Sequence, residues 1–321
     1  MKKNLKWLAV LLCLVIFAAM AMGSGSSAPE EVKDIVAATE DAVSDAVNEA
    51  VSEAGSEGAG EETSASKAQE EAAASVTIEE QVLVDRDGIV VTAKEYVTDS
   101  IWGDGIKLLI ENNSEKTAMV SCDALIVNNF MITDLFVSEV APGKKANETM
   151  YLSTSELKAA GIEKVGQIEV YFRASDTETY DTIFDGEYVT MQTSEFANMD
   201  TAPADTGMEL YNEGGIRIVG KTVDENSFWG TAIVLYSENT SGKNVTISVD
   251  EMSINGFMMS PFFSTTVYNE KMSIDDITIF SSDLEENGIE SIEEVELKFN
   301  IYDADTFDTL ANSDAITFSA K

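Results

Sequence analysis

From Gly88 onward the chain alternates between apolar and polar positions with a period of two, the spacing of a strand with one buried face. "GIVVTAKEYV" and "GIRIVGKTV" are β-branched runs opened by glycine. "GIKLLIENN" and "AIVLYSENT" are apolar runs that end in polar turns. "TAMVSCDALIVNNFM" and "NVTISVDEMSINGFM" alternate, and their "NN" and "NG" predict hairpin turns. "VAPGKKA" is a Pro/Gly turn, "KVGQIEVYFRA" and "IEEVELKFNIYD" are late strands, and "EYVTMQT" and "DAITFSA" close each series. One helical turn interrupts each series, at "STSELKAAGI" and "FSSDLEENGI". There a serine is placed to cap the turn, Glu or Asp stands in its first turn, and Gly161 or Gly288 ends it.

The segments come in pairs because the sequence repeats itself without a gap. Asn128 pairs with Asn255, an offset of 255 − 128 = 127, and the same offset joins Gly88/Gly215, Trp102/Trp229, Asp123/Asp250, Phe136/Phe263 and Asp181/Asp308. About 30 of roughly 100 aligned pairs are identical, which calls for a duplicated domain. The period is too long for a solenoid repeat. About eight short strands per copy, one helical turn and no βαβ rhythm predict an all-β fold of two tandem antiparallel sandwiches.

The residues before the repeat follow other rules. Lys2, Lys3 and Lys6 precede an uninterrupted apolar run from Trp7 to Met22, and "AMA" then offers a small-x-small cleavage site. The run is shorter than the ~20 residues that span a bilayer comfortably, so a cleaved secretory signal is expected, with an N-terminal membrane anchor as the alternative. Residues 23–80 are rich in Ala, Glu, Ser and Gly. "DAVSDAVNEAVSEAGS" places like charges four apart, where they repel on a helix. A partly helical or disordered acidic tether is expected there, in preference to a short coiled coil.

Composition narrows the function. The 321-residue chain has a net charge of −38. Such a chain repels nucleic acid and anionic lipid, leaving cations, basic proteins or uncharged ligands as partners. It contains no histidine, which removes Ser-His-Asp and Cys-His catalysis in their usual forms. Its two cysteines are Cys13, in the apolar run, and Cys122, so the repeats hold no internal disulfide.

The order "WG", "L-x-x-EN-x-S", "VNNFM" or "INGFM", "S-x-L-x-x-xGI", "E-V/L-x-F" and "D-x-x-T-Y/F-DT" resembles the tandem immunoglobulin-like domains of uncharacterised Firmicutes secreted and cell-envelope proteins. The resemblance covers roughly residues 81–321, in both copies. It implies immunoglobulin-like sandwiches after a signal or membrane segment and a low-complexity linker, and carries no catalytic residue.

Four features could bear chemistry. Asp176, Glu178 and Asp181 match Asp303, Asp305 and Asp308 in two acidic loops. Alternating carboxylates after a strand could supply oxygens to Ca²⁺, though the spacing is not that of an EF-hand and a solvated turn explains it as well. Trp102 and Trp229 each precede a glycine; closing the core is the expected role, with stacking on a sugar or partner as the alternative. Phe130, Met131 and Phe136 match Phe257, Met258 and Phe263. Strict repetition suits a core, and exposure would make them the best partner-binding surface. Paired carboxylates are numerous enough for glycoside hydrolysis, but without a motif an enzyme is not expected.

The sequence thus predicts a signal or anchor at 1–22, a linker at 23–80, repeat 1 at 81–194, a linker at 195–207 and repeat 2 at 208–321. The expected role is a non-catalytic interaction protein outside the cytoplasmic membrane, with an exterior protein or glycan as partner. It needs no cofactor unless the acidic loops take Ca²⁺, and it touches membrane only through its N-terminal segment.

Overall fold

A computed structural model describes residues 75–99, 101–133, 135–227, 230–261 and 263–319. The expected signal, nearly all of the tether, and Trp229 lie outside these residues.

The alternating runs form strands where the pattern places them, and the chain is mostly β. In copy 1 they are β1 (Gln81–Arg86), β2 (Ile89–Asp99), β3 (Gly103–Asn112), β4 (Ala118–Val127), β5 (Phe130–Ile132), β6 (Val137–Val140), β7 (Lys145–Tyr151), β8 (Gln167–Asp176) and β9 (Thr182–Gln192). Copy 2 repeats the series as β10 (Met208–Glu213), β11 (Ile216–Ser227), β12 (Gly230–Asn239), β13 (Val245–Ile254), β14 (Phe257–Met258), β15 (Ser264–Val267), β16 (Lys271–Phe280) and β17 (Glu294–Asp303). The counterpart of β9 is broken into β18 (Thr309–Asn312) and β19 (Ile316–Ser319). The helical turns are α1 (Thr154–Ala159) and α2 (Ser281–Glu286).

Local chemistry explains the boundaries. The β1–β2 hairpin turns at Asp87 and Gly88, both at positive φ, and β10–β11 turns at Gly214 and Gly215 in the same way. A side chain at Gly215 would also meet the Ser241 backbone at 2.9 Å, so glycine is required twice over. Gly161 and Gly288 follow their helical turns at positive φ, as expected. The serine caps are not made. Ser153 holds the N-cap position of α1 without a side-chain bond, and the N-cap of α2 is Phe280. Glu156 and Asp283 do stand in the first turns.

Three sheets result. One has four strands in the order β1-β2-β3-β7. Another runs β14-β13-β17-β18, with β15 on β13 and β19 on β17. The third has nine strands and passes through both copies: β10-β11-β12-β16-β5-β4-β8-β9, with β6 on β4. All pairings between named strands are antiparallel except β16 with β5, where Met272 faces Phe130 and Ser273 faces Met131.

Two cores fill the space between the sheets. The first joins Ile89, Val91, Ile106 and Leu108 to Leu125, Val127, Val170 and Phe172. The second joins Ile218, Ile233 and Leu235 to Ile247, Ile254, Leu297 and Phe299. They are not sealed from each other. Val219, Tyr236 and Ile274 of copy 2 belong to the first core, and Met131 of copy 1 packs on the second.

Candidate functional site

The apolar surface of copy 1 converges beside α1. Asp99 builds it from below: its Oδ1 accepts the N–H of Ile101 at 2.7 Å and of Trp102 at 2.9 Å. These backbone bonds hold the Asp99 carboxyl below the usual carboxylate range. The tight turn they make throws both side chains outward. Trp102 is 61% exposed and Leu135 81%, and Ile101 is also exposed, which corrects the expectation of a tryptophan closing the core. The indole lies 6.2 Å from the Tyr151 ring at 38°. Together with Thr133, Ser153, Ser155 and Glu156 they line a cleft of about 420 Å³. Glu156 ties the cleft wall to α1, its Oε2 accepting the Thr133 N–H at 2.6 Å. An aromatic platform rimmed by hydroxyls and one carboxylate suits a sugar ring or an apolar side chain of a partner.

A second cleft, of about 370 Å³, lies where α1 faces β16 and is lined by Ser155, Glu156, Asp275 and Asp276. Burial pushes Asp275 up to about 6, against the opposing hydrogen bonds from Ser273 and Thr265.

The acidic loops are built as turns. The Asp176 carboxylate accepts the Glu178 N–H at 2.9 Å and pairs with Lys116 at 3.0 Å. Asp303 repeats this with the N–H groups of Asp305 and Thr306 and with Lys243 at 2.6 Å. Both carboxyls are held below the usual range, Asp176 first by its backbone bond and Asp303 first by its lysine. Asp181 and Asp308 accept from Thr179 and Thr306 at 2.9 and 3.0 Å. Among the described residues, no group of three or more His, Cys, Asp or Glu side chains converges as a metal cluster.

The Phe/Met hairpins have two fates. Phe130, Phe136 and Phe263 are buried, which corrects any reading of them as exposed partner contacts, and Met131 is half-buried. Phe257 is 45% exposed and Met258 68%. Phe130 lies against copy 2, edge-on to Tyr236 at 6.4 Å.

Around Phe130 is a cluster that sequence reasoning missed. Lys271 Nζ donates to both Glu169 carboxylate oxygens, at 2.7 and 2.8 Å, and to Asn129 Oδ1 at 3.1 Å. The side chains of Lys271 and Glu169 are only 14% and 3% exposed. Tyr188 Oη and Gln167 Nε2 donate to the same carboxylate at 3.0 Å each. Tyr171 is sandwiched between Tyr188 at 4.9 Å and Tyr268 at 5.0 Å. The repetition of Lys144/Lys271 and Glu169/Glu296 was the available signal, but a pair that bridges copies does not show in either copy alone.

No protein-family model and no curated protein matches the sequence. Solved structures give weak likenesses. One is Bacteroides uniformis β-glucuronidase 2 covalently bound to cyclophellitol-6-carboxylate aziridine, at 12% identity and TM-score 0.22, over 72% of this chain and 26% of that chain. Another is a protein of unknown function from Porphyromonas gingivalis W83, at 8% identity and TM-score 0.18, over 76% of this chain and 97% of that one. The chain thus spans about a quarter of the glucuronidase's length.

Proposed function

We propose that the protein is a non-catalytic interaction protein of the cell exterior. It presents two immunoglobulin-like β-sandwiches beyond an acidic tether, and the Trp102 cleft is its principal contact surface. The observation that carries this reading is the outward display of Ile101, Trp102 and Leu135 beside Tyr151. Water-exposed apolar side chains gathered in one cleft are costly to keep unless something covers them. The strongly negative chain favours an uncharged or basic partner, such as a neutral glycan strand or a protein with a basic rim.

The test is co-sedimentation of the purified protein with Gram-positive cell-wall sacculi, alongside the Trp102→Ala variant. Trp102 sits outside the core, so the variant should melt as the parent does. The expected result is saturable binding that weakens at least about tenfold in the variant. Binding unchanged by the substitution, or no binding, would overturn the proposal.

A further inference from the structure

Among the described residues, the strand pairing between the two copies is β5 on β16, and each copy carries both halves of that contact. In copy 1 the donor half is the hairpin Asn128–Ile132, with Glu169 behind it. In copy 2 the acceptor half is the β16 edge that begins at Lys271. Strand β5 pairs with this edge in parallel, the Met272 N–H donates to the Asn129 carbonyl at 3.0 Å, and Lys271 seals the seam on Glu169. Moved by 127 positions, the donor half becomes Asn255–Met259 with Glu296, and the acceptor half becomes the β7 edge with Lys144. Among the described residues both are open. Strands β14 and β7 each end their sheets. Phe257, Met258, Glu296, Lys144, Lys145 and Asn147 are all exposed.

We infer that these open halves meet between chains: the Asn255–Met258 hairpin of one molecule seats on the β7 edge of a second copy, head to tail. The internal contact supplies the register. Phe257 comes opposite Lys145 and Met258 opposite Ala146, the Gly256 carbonyl accepts the Lys145 N–H, and Lys144 takes Glu296. Lysine on an edge strand ordinarily guards it against pairing. Here its counterpart Lys271 is the residue that closes the internal seam, so Lys144 marks an acceptor.

The acceptor face also sets the strength. Val219, Tyr236 and Ile274, which reach into the first core, are replaced in copy 1 by Thr92, Leu109 and Asn147. The contact between chains is therefore weaker than the one within the chain. Such a contact is heterologous and adds units in line. It uses the start of β7, at Lys145 and Ala146, whereas the Trp102 cleft takes the far end of the same strand, at Thr149 and Tyr151.

Sedimentation equilibrium of the full chain over a wide concentration range tests this, at physiological salt so that charges beyond roughly 8 Å are screened. The expected result is association that rises with concentration. Phe257→Asp and Lys144→Glu should each weaken it at least about tenfold. Lys144→Glu combined with Glu296→Lys should restore it. All three side chains are exposed, so the variants should keep the parental melting temperature, and the N-terminal apolar run is common to every chain. A monomer at every concentration overturns the proposal. So does association that ignores the substitutions or that the charge swap fails to rescue.

Discussion

Asp275 shows how one side chain can set a pH dependence. It stands on β16 with hydroxyls from Ser273 at 2.6 Å and Thr265 at 3.0 Å, yet burial dominates and pushes its carboxyl up to about 6. An ordinary unfolded aspartate titrates near 4. The folded chain therefore holds this proton more tightly. The stability it brings is complete below about pH 4 and is lost as pH rises toward 6. At pH 7 the half-buried charge costs about 1–3 kcal/mol. Asp275→Asn should raise the melting temperature at pH 7, leave it nearly unchanged at pH 4, and flatten the difference between them. The rest of the acidic surface titrates alike in both proteins, so the difference between their melting curves isolates this group. Equal curves at pH 7 would show that solvent reaches the carboxylate.

Among the elements, the repeated loop "EN-x-S" turns from motif into mechanism. Asn112 is fully buried; its Nδ2 donates to the carbonyls of Lys116 and Val140 at 2.7 Å each, and its Oδ1 accepts from the Ser114 N–H and hydroxyl at 2.9 and 2.7 Å. Asn239 makes the same four bonds with Lys243, Val267 and Ser241. Each asparagine clamps the end of its strand to a distant turn. Removal would take the amide from the Val140 or Val267 carbonyl and from the Ser114 or Ser241 N–H, while the serine hydroxyl keeps the Lys116 or Lys243 carbonyl, so Asn112→Ala and Asn239→Ala should each cost about 2–4 kcal/mol, read from urea unfolding. A loss under about 1 kcal/mol would mean that water replaces the amide. The same elements mark how far sequence reading reached. Strand positions, hairpin turns and the glycines at 88, 161, 215 and 288 were legible because local backbone chemistry decides them. The serine caps were not: the chain enters each helical turn from extended backbone, at Ser153 and at Phe280, with no side-chain cap bond. Trp102 was misread: the Asp99 turn, not hydrophobicity, aims it. Glycine after tryptophan gave no hint of that.

For the whole molecule, the repeat predicts two equal units, yet the units are unequal where they join. Phe130 and Phe257 share sequence, strand and hairpin, and only Phe130 is buried. The difference lies in the neighbour: Phe130 has Tyr236 of copy 2 against it, and the pattern within one copy cannot encode that. The shared sheet and the side chains exchanged between cores make the copies one folding unit. Wild-type protein should then unfold in a single calorimetric transition whose van't Hoff and measured enthalpies agree. Phe130→Ala should remove about 3–5 kcal/mol and move the entire transition, although the residue belongs to copy 1. Glu169→Ala should act on the same seam by leaving Lys271 buried and unpaired, at a similar cost of about 3–5 kcal/mol. Glu296→Ala is its control: the identical residue in copy 2 is exposed and should change stability little. Two resolved transitions in the wild-type chain, or equal effects of the two glutamate substitutions, would show that the seam is a passive contact between independent halves. A single transition that shifts with Glu169 alone would place the coupling in the buried ion pair and its parallel strand.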